Sequence, residues 1–256
     1  MNNMTLPLSL VLLTSTAFAD PILWDGGGTD DLWNNPVNWV GDTLPQASDD
    51  AIVGAGFTAN VNANNIGALN SVQVGGTIVG NSFNTGGTDV EILSTGSMLF
   101  ESGNATPAFG AATLTFHSGA THKEGNDSAG GRLRFTEGAA FQFVFDASGF
   151  TNNSLWTSSF GDDSQFSWDV DVSAFSGAGT FDLITFDRPD LSWHFLDTQF
   201  SSTTFMANSR VVSYDYREEG GDAFVSVTLT AVPEPSTFAL LGMALSALMF
   251  ARRRMR

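Results

Sequence analysis

Val72-Gln73-Val74-Gly75-Gly76-Thr77, Glu91-Ile92-Leu93-Ser94-Thr95-Gly96-Ser97, Leu114-Thr115-Phe116-His117-Ser118-Gly119-Ala120 and Leu133-Arg134-Phe135-Thr136-Glu137-Gly138-Ala139 are four versions of one unit. Each sets an apolar residue shortly before a glycine turn, and most resume with a small residue. The anchors Val74, Leu93, Phe116 and Phe135 follow one another at a nearly even spacing. A strand–turn–strand unit of about 20 residues cannot bury its apolar side alone and does so against its neighbours. The spacing predicts an all-β chain folded as a right-handed parallel β-helix. The alternative is a β-sandwich, whose turns also recur about every 8–12 residues.

Downstream the pattern lengthens. Alternation runs through Phe141–Phe145, Phe166–Val172 and Phe181–Phe186, then through Ser209–Tyr216 and Phe224–Leu229. Such alternation marks half-buried strands, and Gly220-Gly221-Asp222 between the last two reads as a hairpin turn. Residues 141–231 are expected to form an antiparallel β cap packed on a β-helix spanning 20–140. No Pro/Ser linker separates the two, so one continuous body is expected.

Upstream lies Trp24-Asp25-Gly26-Gly27-Gly28-Thr29-Asp30-Asp31-Leu32-Trp33, followed by Asn38-Trp39 and Asp49-Asp50. An open end of stacked strands exposes apolar cross-section and free strand edges. Trp24, Trp33 and Trp39 are large enough to plug it. Exposed aromatic faces also bind sugars, so a glycan platform is the competing role for the same three residues.

Composition excludes several function classes. The chain carries 27 acids and 10 lysines or arginines, of which Glu234, Arg252, Arg253, Arg254 and Arg256 lie in the tail, 232–256. That leaves 26 acids and 6 bases over residues 20–232, a net charge of −20. Such a surface repels nucleic acid. The absence of cysteine rules out disulfides, thiol nucleophiles and Cys-based zinc sites. No P-loop, dinucleotide fingerprint or Ser-His-Asp spacing is present.

His117 and His122, near Glu124 and Asp127, are of the types that hold a transition metal. Thr121–Gly131 reads as a polar loop, however, with nothing rigid to aim the ligands, so no metal is expected there. His194, between Trp193 and Phe195, reads as a half-buried strand residue. Asp162-Asp163, the pair Asp169 and Asp171, and Asp187 with Asp190 are carboxylate clusters of the kind a glycosidase needs. In so acidic a chain, pairs also arise by chance, and alternate aspartates on a strand face water. No cofactor is expected; calcium is the cation that Asp/Asn/Gly turns suit, although no EF-hand loop occurs.

The two ends are addresses. Leu6–Leu13 is mostly apolar and Ala17-Phe18-Ala19 precedes Asp20, so residues 1–19 read as a signal peptide cleaved between Ala19 and Asp20. At the other end, Pro233-Glu234-Pro235 precedes an apolar run, 237–251, and then Arg252, Arg253, Arg254 and Arg256. The two prolines fix φ and remove two backbone donors, which keeps the segment extended. The run suits a membrane helix, although at about 1.5 Å per residue it is short for a hydrocarbon core of about 30 Å. The arginines fit the cytoplasmic side by the positive-inside rule.

This three-part tail, 232–256, resembles the PEP-CTERM sorting signal, the substrate tail of exosortases. The same tail is also labelled an ice-binding protein C-terminal domain, a name that carries no activity. The Trp-rich entry segment resembles the opening of many autotransporter-like and PEP-CTERM β-helix proteins. The resemblance implies export, an inner-membrane-anchored precursor, recognition of Pro233, Glu234 and Pro235 by an exosortase-like enzyme, and delivery to the cell surface or an exopolysaccharide or biofilm matrix. A non-catalytic surface or matrix protein is therefore expected. The alternatives are a carbohydrate-binding module or a polysaccharide-active β-helix enzyme. Ice binding would want regular Thr columns, which the mixed Ser, Gly, Ala and Thr of the repeats do not supply.

Overall fold

A computed structural model describes residues 21–61, 64–66, 69–80, 83–100, 108–109, 112–124, 132–135, 139–156, 159–160, 167–187, 204–205 and 208–232. The chain is all-β, with one 3₁₀ turn at Pro36–Asn38 among the described residues. Strand β1 (Pro21–Leu23) leads into a first circuit of β2 (Asp50–Val53), β3 (Thr58–Asn60) and β4 (Asn64–Asn65). The second is β5 (Ser71–Val74), β6 (Thr77–Val79) and β7 (Phe83–Asn84); the third is β8 (Asp89–Ile92), β9 (Ser97–Phe100) and β10 (Ala108–Phe109). Then come β11 (Thr113–His117), β12 (Thr121–Glu124) and β13 (Arg132–Phe135), followed by β14 (Ala140–Val144), β15 (Leu155–Trp156) and β16 (Ser159–Phe160). The last strands are β17 (Ser167–Asp171), β18 (Gly179–Asp187), β19 (Thr204–Phe205), β20 (Val211–Glu219) and β21 (Asp222–Leu229).

Each circuit contributes one strand to each of three sheets. The first sheet runs β1-β2-β5-β8-β11-β14-β17-β19, the second β3-β6-β9-β12-β15-β18-β21-β20, and the third β4-β7-β10-β13-β16. The first and third sheets pair in parallel throughout. The second is parallel as far as β18 and turns antiparallel at β21 and β20.

Parallel pairing does not stop at residue 140, where the antiparallel part was expected to begin. β14, β17 and β19 continue the first sheet, and among the strands of the described residues β18, β21 and β20 are those that pair antiparallel. Alternation alone cannot separate the two arrangements, because a strand with one buried face reads the same in either. The expected hairpin is there, with Gly220 and Gly221 at φ 67° and 98°, the left-handed pair that a tight two-residue turn demands.

Register decides the core. In the first sheet Ala51, Val72, Val90, Leu114, Phe141 and Trp168 pair in succession, and so do Val53, Val74, Ile92, Phe116, Phe143 and Val170. All twelve are buried. The steps along the second column are uneven: Val74 to Ile92 is the shortest, and Phe116 to Phe143 and Phe143 to Val170 are the longest. Two of the four sequence anchors therefore move. Ile92, not Leu93, aligns with Val74; a slip of one residue turns a side chain to the other face. Phe135 lies on β13 in the third sheet, and Phe143 takes the place next to Phe116. Longer circuits coincide with larger inward side chains, from Ala51 to Trp168. Phe116, Phe143 and Trp168 stack with centroids 5.9 and 5.5 Å apart. Buried side chains from Trp24 to Leu229 make one contiguous cluster.

Two glycines shape the corner between the first and second sheets. Ser97 N–H donates to Gly76 O and Thr121 N–H to Gly96 O, at 2.8 and 3.0 Å, which stacks Gly76, Gly96 and Ala120. A Cβ on Gly96 would overlap the Val74 carbonyl, and one on Gly76 the Gly54 carbonyl. The glycine-then-small-residue rhythm of the repeats is thus a demand for space.

The far end of the body is held by Arg210. Its guanidinium donates to the carbonyls of Val172 (3.1 Å), Phe175, Gly177 (2.6 Å) and Thr230 (3.1 Å). Nearby, burial and then the charge of Asp169 push the Tyr214 hydroxyl up to about 12.

Candidate functional site

The three tryptophans meet at the start of the stack. Trp24, Trp33 and Trp39 are 3%, 5% and 0% exposed. Trp39 packs edge-on to Trp24 and Trp33 at 5.0 and 4.7 Å, and its Nε1 donates to Trp33 O at 2.9 Å. No ring face is left for a sugar to stack on. The polar residues between them explain the motif. Buried Asn38 accepts from Gly28 N–H through Oδ1 and donates to Asp30 and to Leu32 O through Nδ2. Asp30 also accepts from Asn35 and from Leu32 N–H, and these hydrogen bonds, that from Asn35 foremost, hold its carboxyl below the usual range. Backbone bonds from Trp33 N–H to Asn60 O and from Asn60 N–H to Asp31 O tie the segment to β3.

A groove of about 470 Å³ crosses the outer face of the first sheet. Its polar lining is Asp50, Ser71, Gln73, Asp89, Glu91, Thr113, Thr115 and Gln142. Parallel register places one outward side chain per strand in line: Gln73, Glu91, Thr115, Gln142 and Asp169. Gln73 Nε2 donates to Glu91 Oε2 at 2.8 Å, and His117 Nε2 lies 2.7 Å from Glu91 Oε1. Asn70 and Ser71 both donate to Asp50 Oδ1 at 2.6 Å, and Thr113 N–H donates to Asp89 at 2.7 Å.

Burial alone would raise the Glu91 carboxyl. The hydrogen bonds from Gln73 and His117, with the His117 charge, outweigh it and hold the group below its ordinary value. A depressed carboxylate stabilises the fold above its unfolded pKa, and that contribution is lost as pH falls through the folded value. The side chain is 40% exposed, so the effect is expected to stay below about 1 kcal/mol. Urea unfolding of wild type and Glu91→Gln should therefore differ at about pH 7 and converge well below the ordinary carboxyl value of 4.5.

The other expected candidates scatter. His117 faces outward on β11, whereas His122 is buried on β12 in a column with Ala59, Ile78 and Met98. Phe100 and Phe116 lie 6.1 and 6.0 Å from its ring. The two histidines are not brought together. Thr121–Glu124, expected as loop, is strand; a histidine in the core position hides the alternation there. Among the described residues no group of three or more His, Asp or Glu could hold a metal ion. Asp169 and Asp171 share the outer face of β17, as expected. Asp127, Asp162, Asp163, Asp190 and His194 lie outside the described residues, as do Ala19, Asp20, Pro233, Glu234, Pro235, Arg252, Arg253, Arg254 and Arg256. So does the run 237–251; no helix of the described residues is long and apolar enough to cross a membrane.

The groove residues were missed in the sequence. Their signal is the outward position of successive strands, which becomes a line only when the register is known. The last described residues define a third place. Thr230 N–H donates to Arg210 O at 2.9 Å, and Val232 N–H to Ser176 O at 3.0 Å. A hollow of about 400 Å³ lies beside Val232, lined by Asp171, Ser173, Phe175, Asn208 and Arg210.

Residues 231–254 match a known family, the PEP-CTERM protein-sorting motif. No curated protein and no solved structure matches the chain. The motif marks an exported protein with a membrane-anchored precursor, sorted through an exosortase. Its first two residues, Ala231 and Val232, are the last two of the described body.

Proposed function

We propose that this chain is a non-catalytic component of the cell surface or extracellular matrix, processed by an exosortase and held among exopolysaccharide. Its body is a right-handed parallel β-helix closed by the tryptophan plug at one end and by the β20–β21 hairpin at the other. The run 237–251 is a temporary membrane helix with the arginine cluster as its stop. The observation that carries this is a sorting motif following directly on a cysteine-free, strongly acidic β-body. Cyclic use of three sheets with parallel pairing supports the β-helix.

A second role, glycan binding, is favoured by the groove on the first sheet. Its amides, hydroxyls and carboxylates suit neutral sugar hydroxyls, and its charge would repel uronates. Catalysis fits less well, because Glu91 is held below its ordinary value, the opposite of what a glycosidase acid requires.

Deleting Pro233–Pro235 tests the proposal. The full-length precursor is expected to accumulate in the membrane fraction, and co-sedimentation with matrix polysaccharide is expected to be lost. Unchanged processing and location on immunoblots of fractionated cells would show that this motif does not sort the chain.

A further inference from the structure

The sorting motif has no spacer. Ala231 and Val232 belong to it, yet Val232 N–H is bonded to Ser176 O and Thr230 is bonded on both sides to Arg210. Ser176 and Arg210 are far from the tail in sequence and meet it only in the folded body. Val232, 47% exposed, lies along the 172–177 turn with the hollow beside it. Val232 directly precedes Pro233 in the sequence. An enzyme that engages Pro233, Glu234 and Pro235 must also accommodate the residue before them, Val232, which is already held.

We infer that Ser176 and Arg210 are positioning residues for processing: they hold the entry of the sorting motif against the body, and the enzyme engages it after Thr230–Val232 have been released. This rests on exosortase processing of the tail. Cleavage of the folded precursor is thereby coupled to a local opening at the C-terminal end. Partial opening of this kind needs less free energy than global unfolding and is set by the few bonds that close it.

The test inserts Gly-Ser-Gly-Ser-Ala-Val between Val232 and Pro233 of the full-length chain. Val232 stays on Ser176, and the motif still reads Ala-Val-Pro-Glu-Pro. Processing is followed by pulse-chase immunoblot in cells that carry the enzyme. The insert is expected to shorten the processing half-time by at least about three- to tenfold, the factor that one hydrogen bond of ordinary net strength commands, since the bonds of Thr230 add to that of Val232. Arg210→Gln is expected to speed the parent but to leave the insert unchanged, since the insert has already freed the motif. A merely structural role would move both backgrounds alike. An unchanged or longer half-time for the insert overturns the inference, as does an equal effect of Arg210→Gln in both backgrounds. The Pro233–Pro235 deletion run alongside separates the two failures: if it is processed normally, the sorting role itself is wrong.

Discussion

Trp39→Ala is expected to destabilise the body by about 3–5 kcal/mol, the range for removing a fully buried large aromatic. Trp39 is 0% exposed, makes edge-on contacts with both partner rings and satisfies the Trp33 carbonyl. Alanine would leave a cavity where β1 and β3 are the outermost strands of their sheets among the described residues. For a chain of this size the midpoint of thermal unfolding should fall by roughly 10 °C. Thermal and urea unfolding followed by tryptophan fluorescence would measure it. A loss below about 1 kcal/mol would mean that the three rings do not close this end.

Gly96→Ala should cost about 3 kcal/mol, at the upper end of what overpacking usually causes. The added methyl would meet a backbone carbonyl, Val74 O, which cannot swing away without breaking the stack. Gly87 provides the contrast. It has open space around its missing Cβ but a φ of 103°, so alanine there should cost only the roughly 1 kcal/mol of backbone strain. Ala120, one circuit on from Gly96, already carries a methyl and is buried. Urea unfolding of the two glycine variants side by side tells space from conformation; similar losses would sink the steric account.

Parts of this molecule were legible because they depend on neighbours in sequence. Strand content follows from alternation, and the Gly220-Gly221 hairpin from the left-handed backbone that such a turn requires. The glycine rhythm of the repeats was visible too, though its cause was not. What failed was register. Leu93 and Phe135 look as good as Val74 and Phe116 in a list of apolar residues, but the first lies one residue past the position paired with Val74 and the second belongs to another sheet. Circuits of unequal length, such as Val74 to Ile92 beside Phe143 to Val170, erase a fixed period. His122 shows the same limit: a polar residue in a core column breaks the alternation that would have announced β12.

The sequence by itself determined the all-β class, the acidic and cysteine-free surface, and a sorting motif whose recognition needs only contiguous residues. The tertiary structure alone decided which faces turn inward, where the parallel circuits end, that Gln73, Glu91, Thr115 and Gln142 form one outward line, and that Ser176 and Arg210 grip the entry to the tail. The reason is physical. A turn, a charge balance or a linear motif is set within a few residues. A column of side chains is set by hydrogen-bond register between segments far apart in the chain, and a shift of one residue reverses its face.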